Sequence, residues 1–397
     1  MVEIHGEVAD GFEPVREVFE ENFETRGDVG AGFALYLEGE KVIDLIGGVA
    51  DQDSGEPYTP DTLQLVFSTT KGATAICANL LAQRGELDLD APVAEYWPEF
   101  GHGGKEEVPV RWLLTHRSGL IDVDHAMTFE EALEWDLVTD ALARATPRWE
   151  PGSAHGYHAV TYGWLVGEVI RRVSGRSVGT FLREEVTDKL AAEFYIGLPR
   201  HHHERVAPIY PFEPPAGMFG DLGDGAELTG AADLASLLSM VLGPDNLIGP
   251  ALTAPGGAFA EMDVWNHPDL LAAEIPAASG VTNAPSLARI YAATVTEVDG
   301  VRLFDDQTVK LVSTPEVEGP DAVIMFSIPF SHGFMTHSMF SPFGQDGCFG
   351  HYGAGGSVGF ADPDKKLGFG YVMNQMQLGI NGDPRTTALI DAVYQVL

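Results

Sequence analysis

Apolar positions near the amino terminus repeat first at helical and then at strand spacing. Phe12, Val15 and Phe19 lie three or four residues apart, which predicts an amphipathic helix. Two apolar runs follow at residues 33–37 and 42–46, and the Glu-Gly-Glu segment between them predicts a hairpin. The chain is therefore expected to open with a helix and two antiparallel strands.

The carboxyl-terminal region repeats these elements in the reverse order. Apolar runs at 357–361 and 367–373 flank an Asp-Pro-Asp-Lys turn, which predicts a second hairpin. Apolar side chains at helical spacing within 389–396 predict a last helix. The same periodicity predicts a mostly helical middle, with helices at 73–84, 110–114, 161–173, 228–242 and 286–295.

These elements predict an α+β fold. The simplest packing pairs the terminal strands in one antiparallel sheet, flanks it with the N- and C-terminal helices, and inserts a mainly helical lobe between them. We expect residues 1–75 and 300–397 to form the α/β lobe and residues 76–299 to form the helical lobe, with the active site between the lobes. Pro- and Gly-rich stretches at 208–225 and 247–257 predict surface loops.

The charge of the chain excludes several classes of partner. Its 397 residues contain 23 Lys and Arg against 59 Asp and Glu, a formal net charge of −36. Such a chain repels nucleic-acid phosphates and anionic lipid headgroups. We therefore expect neither a nucleic-acid nor a membrane partner, and the oligomeric state stays open.

Cysteine usage and the absence of targeting signals add two further expectations. Cys77 and Cys348 are the two cysteines of the sequence, and neither belongs to a Cys-x-x-Cys motif, which predicts free thiols. The amino-terminal region has no basic segment followed by an apolar one, and no apolar run of about 18 residues occurs. These features predict a cytoplasmic protein.

The first segment with chemical potential is Ser68-Thr-Thr-Lys71, at the start of a predicted helix. A Ser and a Lys three residues apart share one helix face, so the amine can reach the hydroxyl. The free backbone N–H groups and the dipole at a helix start can stabilise an oxyanion. The pattern alone is weak, because a helix-capping Ser and a surface Lys produce it too.

Two further segments could complete a site. Tyr157 lies in a loop before a predicted helix, where a phenol could move a proton if nearby cations lowered its pKa from about 10. The glycine-rich segment 350–357 leads into the last hairpin, and glycine in a strand marks the close approach of a backbone or ligand. Taken singly, the two segments are equally consistent with a core tyrosine and a strand bend.

Together and in this order, the three segments resemble the serine β-lactamase-like superfamily, in particular the family VIII carboxylesterases, which are related to class C β-lactamases. Shorter stretches at 85–93, 113–120, 149–152 and 359–363 agree with the same pattern, so the resemblance covers nearly the whole chain. It implies the β-lactamase/transpeptidase-like fold.

The resemblance also implies catalytic roles. Ser68 is the expected acylated nucleophile, and Lys71 with Tyr157 is the expected base system. Which of the two is the formal base stays open, because a coupled pair titrates as a unit. The backbone N–H groups of Ser68 and Ala354 are the expected oxyanion hole.

Departures from the lactamase pattern bear on the substrate. The segment His351-Tyr352-Gly353 stands where class C enzymes have Lys-Thr-Gly, and it is expected to contact the substrate without a fixed cation. Ala159 stands where the family has an Asn that contacts an acylamino group. Both differences favour a small or short-chain uncharged ester. We therefore expect a serine carboxylesterase that uses no metal and no organic cofactor.

Several alternatives remain at this stage. A DD-peptidase or β-lactamase-type amide hydrolase, an acyltransferase and a non-catalytic binding protein could all use this scaffold. The segment around Ser357 fits Gly-x-Ser-x-Gly, but the α/β-hydrolase triad that uses this motif requires a later His, and none follows. The consecutive histidines 201–203 predict a polar loop rather than a metal site, since neighbouring side chains point in different directions.

Overall fold

Strands from both ends of the chain form one large antiparallel sheet. The computed structural model describes residues 2–212, 246–379 and 382–397. The sheet has the strand order β1-β3-β2-β12-β11-β10-β9, and β4 pairs with β3 beside this path. Its strands are β1 (Ile4–Val8), β2 (Gly30–Leu37), β3 (Glu40–Asp51), β4 (Glu56–Pro57), β9 (Met335–Thr336), β10 (Phe349–Tyr352), β11 (Val358–Asp362) and β12 (Leu367–Met373).

A second, smaller sheet lies beside the candidate nucleophile. Its order is β6-β8-β5-β7, and β5 pairs with β7 in parallel. The strands are β5 (Leu63–Leu65), β6 (Phe194–Tyr195), β7 (Val206–Ala207) and β8 (Val281–Thr282). Because β5 ends three residues before Ser68, this sheet fixes the chain that enters the active site.

Helices occupy the middle of the chain and both termini. The described residues contain α1 (Glu13–Thr25), α2 (Thr70–Gln83), α3 (Val93–Tyr96), α4 (Val110–Leu114), α5 (Phe129–Ala132), α6 (Trp135–Arg144), α7 (Tyr162–Ser174), α8 (Val178–Leu182), α9 (Asp188–Leu190), α10 (Ile248–Thr253), α11 (Pro268–Ala272), α12 (Ala284–Val295), α13 (Asp306–Ser313) and α14 (Pro384–Val396). No helix within these residues is long and apolar enough to cross a membrane.

Helices cover both faces of the large sheet. On β2, Phe33 packs against Phe19 of α1, with ring centroids 6.4 Å apart, and α1 packs against α14. A Cβ atom at the adjacent Gly32 would lie 3.3 Å from the Cβ of Ala284 in α12. Successive strand residues face opposite sides, so the terminal helices cover one face and α12 covers the other.

Glycines on β12 allow α12 to approach the sheet closely. A Cβ atom at Gly368 would lie 2.2 Å from the carbonyl oxygen of Ala288, and one at Gly370 would lie 2.6 Å from that of Ala284. Any larger side chain there would push the helix away, which explains why glycine interrupts an otherwise apolar strand.

The expected α+β, β-lactamase/transpeptidase-like fold is confirmed. The division into an α/β lobe of residues 1–75 and 300–397 and a helical lobe of residues 76–299 stays a prediction. One helix of the range 76–299, α12, packs on the large sheet. The expected loop at 247–257 contains α10. The sequence reasoning missed edge strand β1, which is only five residues long and whose central residues His5, Gly6 and Glu7 are exposed. The predicted helix at 228–242 and most of the loop at 208–225 lie outside the described residues.

Candidate active site

Ser68 lies in a short 3₁₀ turn, Phe67–Thr69, that joins β5 to the start of α2. The preceding residue, Phe67, has φ of +43°, in the left-handed region that residues other than glycine rarely adopt. Packing of its ring against Trp265, with centroids 5.1 Å apart, holds this conformation. The strained turn presents the Ser68 side chain to a pocket at the start of the helix.

Lys71 reaches Ser68 from within the first turn of α2. Its side chain is fully buried, and Nζ lies 3.0 Å from Ser68 Oγ. Nζ also donates to the carbonyl oxygens of Ala159 at 2.6 Å and Ala277 at 3.1 Å. Burial lowers the pKa of Lys71 well below its ordinary value, because the charged form loses its hydration.

Tyr157 joins this pair from the loop that precedes α7. The residue is 2% exposed and lines the same pocket as Ser68. The Lys71 Nζ lies 4.8 Å from the centroid of the Tyr157 ring. Burial raises the pKa of the phenol, so Tyr157 does not have the lowered pKa that the sequence argument required of a phenolate base. The structure nevertheless brings Ser68, Lys71 and Tyr157 together.

Asp321 holds the loop that carries Tyr157, and the sequence analysis missed it. Its buried carboxylate oxygen Oδ1 accepts the backbone N–H groups of Tyr157 at 3.0 Å, Val323 at 2.8 Å and Ile324 at 2.9 Å. The backbone of His155 adds a further link, since its carbonyl accepts the N–H of Ala322 at 2.9 Å. No local signal marks Asp321, which follows Gly319 and Pro320 and precedes an apolar run in the sequence.

Buried histidines surround the tyrosine as neutral rings. His158 Nδ1 donates to the Gly156 carbonyl at 2.6 Å, which leaves Nε2 to accept from the Ser118 hydroxyl at 2.9 Å. His116 Nδ1 accepts the backbone N–H of His158 at 3.2 Å, and the His116 ring packs 5.1 Å from that of Tyr157. Burial lowers the pKa of His158 to about 4. These contacts make His116 part of the packing around Tyr157.

The edge segment expected to bind substrate does not line the pocket with its side chains. His351 is fully buried, and its Nδ1 donates to the Tyr352 carbonyl at 2.6 Å. The Tyr352 ring stacks on Phe343 on the other side of β10, and its hydroxyl donates to the Pro342 carbonyl at 2.7 Å. Burial, and then the nearby Lys71, lower the pKa of His351 to about 3.

Gly353 lies where the edge strand meets the Ser68 turn. A Cβ atom there would lie 2.3 Å from the Val66 carbonyl oxygen and 2.2 Å from Ser357 Oγ, so the position needs glycine. The next residue, Ala354, lines the pocket beside Ser68. Among the described residues, the backbone N–H groups of Ser68 and Ala354 have no hydrogen-bond acceptor. They are therefore available to a substrate oxygen.

Ser357, the serine of the Gly-x-Ser-x-Gly segment, is a buried structural group. Its Oγ donates to the Val66 carbonyl at 2.9 Å and lies 3.2 Å from Thr69 Oγ1. These contacts join the start of β11 to the turn that carries Ser68. The hydroxyl has no exposed surface from which to attack a substrate.

The pocket in front of Ser68 is apolar, and sequence reasoning did not identify most of its walls. None of the described lining residues carries a charge. Besides Ser68, Tyr157, Ala159 and Ala354, these residues are Phe67, Val160, Pro211, Phe212, Leu252, Met262, Trp265, Ala278, Met376, Gln377, Leu378 and Gly379. They come from widely separated segments, so no local pattern reports their proximity.

Comparison with known proteins assigns the chain to a family. A model of the beta-lactamase family matches residues 15–393. The chain belongs to the beta-lactamase family. The expected family resemblance and the expected enzyme class, a serine hydrolase, are thereby confirmed.

Individual members of the beta-lactamase family are similar to this chain over nearly its full length. It is 35% identical over 372 residues to the esterase/beta-lactamase LipL of Mycobacterium tuberculosis, a match that covers 92% of this chain and 81% of LipL. A solved structure described as a family VIII carboxylesterase matches with a TM-score of 0.86 and 36% identity over 100% of both chains. A penicillin-binding protein homolog from Caulobacter crescentus matches with a TM-score of 0.84 and 36% identity, also over 100% of both chains.

Proposed function

We propose that this protein is a serine carboxylesterase that hydrolyses small or short-chain uncharged esters through an acyl-enzyme on Ser68. The observation that carries the proposal is the position of the buried Lys71 amine, 3.0 Å from Ser68 Oγ and bonded to two carbonyl oxygens. Esterase activity also agrees with the names of LipL and of the similar family VIII carboxylesterase.

The contacts of Lys71 favour it as the base in the resting enzyme. A neutral amine has two N–H bonds and one lone pair. When the carbonyls of Ala159 and Ala277 accept the two N–H bonds, the lone pair faces Ser68, whose hydroxyl then donates to Lys71. Burial raises the pKa of Tyr157 and lowers that of Lys71, so the phenol keeps its proton while the amine is free to accept one.

The proposed reaction has two balanced halves. Lys71 accepts the Ser68 proton as Oγ bonds to the ester carbon, and the backbone N–H groups of Ser68 and Ala354 stabilise the oxyanion. The bond to the alcohol oxygen then breaks, and the proton passes through Tyr157 to the leaving alcohol. Water attacks the acyl-enzyme by the reverse proton path, which releases the carboxylic acid and restores Ser68.

The pocket supports an uncharged substrate. Its described walls carry no cation that could pair with a substrate carboxylate. Residues 213–245, which follow the lining residue Phe212, contain no Lys, Arg or His in the sequence. Ala159 and the fully buried His351 likewise provide neither the amide nor the cation that would favour a carboxylated amide.

A hydrolysis panel tests the proposal. The purified enzyme and its Ser68→Ala variant are assayed with p-nitrophenyl acetate, butyrate, hexanoate and octanoate beside a chromogenic cephalosporin. We expect the highest kcat/KM for a short ester, weak or no cephalosporin turnover, and no turnover by the variant. Higher kcat/KM for the cephalosporin than for every ester would contradict the proposal.

A β-lactamase- or DD-peptidase-type amide hydrolase is the second candidate. The similarity to the penicillin-binding protein homolog is the observation that favours it. This function requires recognition of an anionic substrate, for which the described pocket walls offer no charged partner. Preferential acylation of Ser68 by penicillin, detected by mass spectrometry, would favour this candidate over the ester.

A further inference from the structure

A buried ionic cluster lies directly behind the glycine-rich turn of the candidate oxyanion hole. Its centre is Arg385, in the first turn of α14, whose side chain has no exposed surface. Asp28 and Asp383 flank the guanidinium, and the Tyr371 hydroxyl hydrogen-bonds with both carboxylate oxygens of Asp28. Burying several charges is costly unless each is paired, so the completeness of the pairing is informative.

All the N–H donors of Arg385 have acceptors. Nε donates to Asp383 Oδ1 at 3.0 Å and Nη2 to Asp383 Oδ2 at 2.7 Å, a two-pronged pair. Nη1 donates to Asp28 Oδ1 at 2.9 Å. The two remaining donors reach backbone carbonyls, that of Gln375 at 2.8 Å and that of Gly355 at 2.5 Å. The carboxylates therefore orient a guanidinium that donates hydrogen bonds to two segments of main chain, at Gly355 and at Gln375.

Both segments that Arg385 binds border the pocket. Gly355 follows Ala354, and Gln375 precedes the lining residues Met376, Gln377 and Leu378. The segments also bind each other, since the N–H of Gly355 donates to the Gly379 carbonyl at 3.2 Å and the N–H of Gln377 donates to the Gly355 carbonyl at 3.0 Å. Arg385 thus fixes the position of the glycine-rich turn after Ala354 relative to the pocket wall at residues 376–378.

The turn needs such an anchor. Gly355 and Gly356 have φ values of +82° and +129°, and glycine adopts many other conformations at little cost. A Cβ atom at Gly356 would lie 2.5 Å from Arg385 Nη2, so the backbone lies directly against the guanidinium. Without the anchor, the turn could rotate the Ala354 N–H away from the substrate oxygen.

We propose that Arg385, oriented by Asp28 and Asp383, is a positioning residue that aims the Ala354 N–H at the reaction's oxyanion. The inference rests on the proposed acyl-enzyme at Ser68. It assigns an effect on the transition state to a cluster that touches neither the substrate nor Ser68. Substrate binding before the reaction should depend on it much less.

The test compares Arg385→Lys and Tyr371→Phe with Glu168→Gln. Lysine keeps the charge but cannot span both carbonyls and both carboxylates, and phenylalanine removes one hydrogen-bond donor to Asp28. Glu168 is the matched control because it is equally buried and accepts from Trp135, Arg171 and Arg172, away from the pocket residues. All proteins are compared at a temperature at which circular dichroism shows them folded.

The readouts separate the transition state from ground-state binding. We measure kcat and KM for p-nitrophenyl butyrate, and the inhibition constants of an alkyl trifluoromethyl ketone, whose serine adduct carries an oxyanion, and of the matching methyl ketone. Arg385→Lys should lower kcat by about 10- to 100-fold and weaken the trifluoromethyl ketone in proportion. The KM and the inhibition constant of the methyl ketone should change little. Tyr371→Phe should lower kcat and weaken the trifluoromethyl ketone by smaller factors than Arg385→Lys. Glu168→Gln should lose stability and keep the wild-type kcat.

Two results would overturn the inference. The first is that a folded Arg385→Lys or Tyr371→Phe variant keeps the wild-type kcat and binds the trifluoromethyl ketone as tightly as the wild type. The other is equal weakening of both ketones, which would indicate general damage to the pocket. Labelling of wild-type Ser68 by a p-nitrophenyl phosphonate is measured in parallel, and its failure would overturn the proposed function instead.

Discussion

Asp321 and Tyr157 are 164 positions apart in the chain, and the Asp321 carboxylate accepts the Tyr157 backbone N–H at 3.0 Å. Because the same oxygen also accepts from Val323 and Ile324, one side chain joins the loop before α7 to the loop at 321–324. The position of the Tyr157 phenol in the pocket of Ser68 therefore depends on a residue from a distant part of the sequence.

Removing this acceptor should impair both stability and catalysis. Asp321→Ala leaves three N–H groups without their partner, and we expect a loss of about 1–3 kcal/mol in the free energy of unfolding. A displaced Tyr157 should also lower kcat at least about tenfold, while KM changes less. Urea unfolding and ester kinetics measure the two effects.

Asp305→Ala is the control for Asp321→Ala. Asp305 caps α13 by accepting the Thr308 N–H at 2.7 Å, and it does not line the pocket. Its loss should cost about 1 kcal/mol of stability and leave kcat unchanged. Equal kcat in the two folded variants would contradict the positioning role of Asp321.

The two serines near the pocket should respond oppositely to replacement. Ser68→Ala should abolish ester hydrolysis, since it removes the proposed nucleophile. Ser357→Ala should keep much of the activity and lose about 1 kcal/mol of stability, the contribution of the hydrogen bond to the Val66 carbonyl. Initial rates and thermal unfolding of both variants check this. A folded but inactive Ser357→Ala beside an active Ser68→Ala would reverse the assignment.

Lys71 and Tyr157 should behave as one proton-transfer unit. Lys71→Ala and Tyr157→Phe should each lower kcat by about 10² to 10⁴, because each removes a group on the path between Ser68 and the leaving alcohol. The double variant should lose less than the product of the two factors. Fully multiplicative losses, measured as kcat for p-nitrophenyl butyrate, would show that the two groups act independently.

Stability should depend on pH through Lys71. Its folded-state pKa is lowered by burial, so between that value and the ordinary lysine pKa of about 10.4 the unfolded chain binds a proton that the folded chain does not. The contribution of Lys71 to stability therefore rises with pH across this window, by up to about 1.4 kcal/mol per unit, and levels off above it. Lys71→Met lacks this slope, and urea unfolding of both proteins from pH 6 to 10 measures the difference.

The kcat/KM for ester hydrolysis should also rise with pH. The value of kcat/KM should fall as the pH drops below the folded-state pKa of Lys71, because the amine then carries a proton. His351 and His158, with pKa values of about 3 and 4, stay neutral throughout and should add no step. A kcat/KM that rises as the pH is lowered would contradict Lys71 as the base.

The pocket walls should set the preferred acyl length. Met262 and Leu252 line the pocket, and replacing either with alanine should raise the ratio of kcat/KM for the octanoate to that for the acetate by several-fold, since each methylene accommodated contributes about 0.8 kcal/mol. Met339→Ala serves as the control, because Met339 is 86% exposed and does not line the pocket. The same ratio in all the variants would mean that these walls do not contact the acyl chain.

The sequence by itself determined the parts of this protein that depend on local geometry. Ser68 and Lys71 share a helix face because three residues span nearly one turn, and the two terminal hairpins follow from apolar runs that flank short turns. The order of the motifs also determined the family. Edge strand β1 escaped this reasoning because it is only five residues long and has a glycine at its centre, a residue type that is depleted in strands.

Only the tertiary structure decided which distant residues complete the site. Hydrogen bonds from the Tyr157 N–H to Asp321 and from Arg385 to the Gly355 carbonyl join segments that are far apart in the sequence and share no periodic pattern. The pleat of β10 likewise sends Tyr352 to Phe343 rather than to the pocket, although its position in the motif suggested a substrate contact. Local spacing constrains neighbours along one helix or strand, whereas a buried carboxylate or guanidinium finds its partners only after the whole chain has packed.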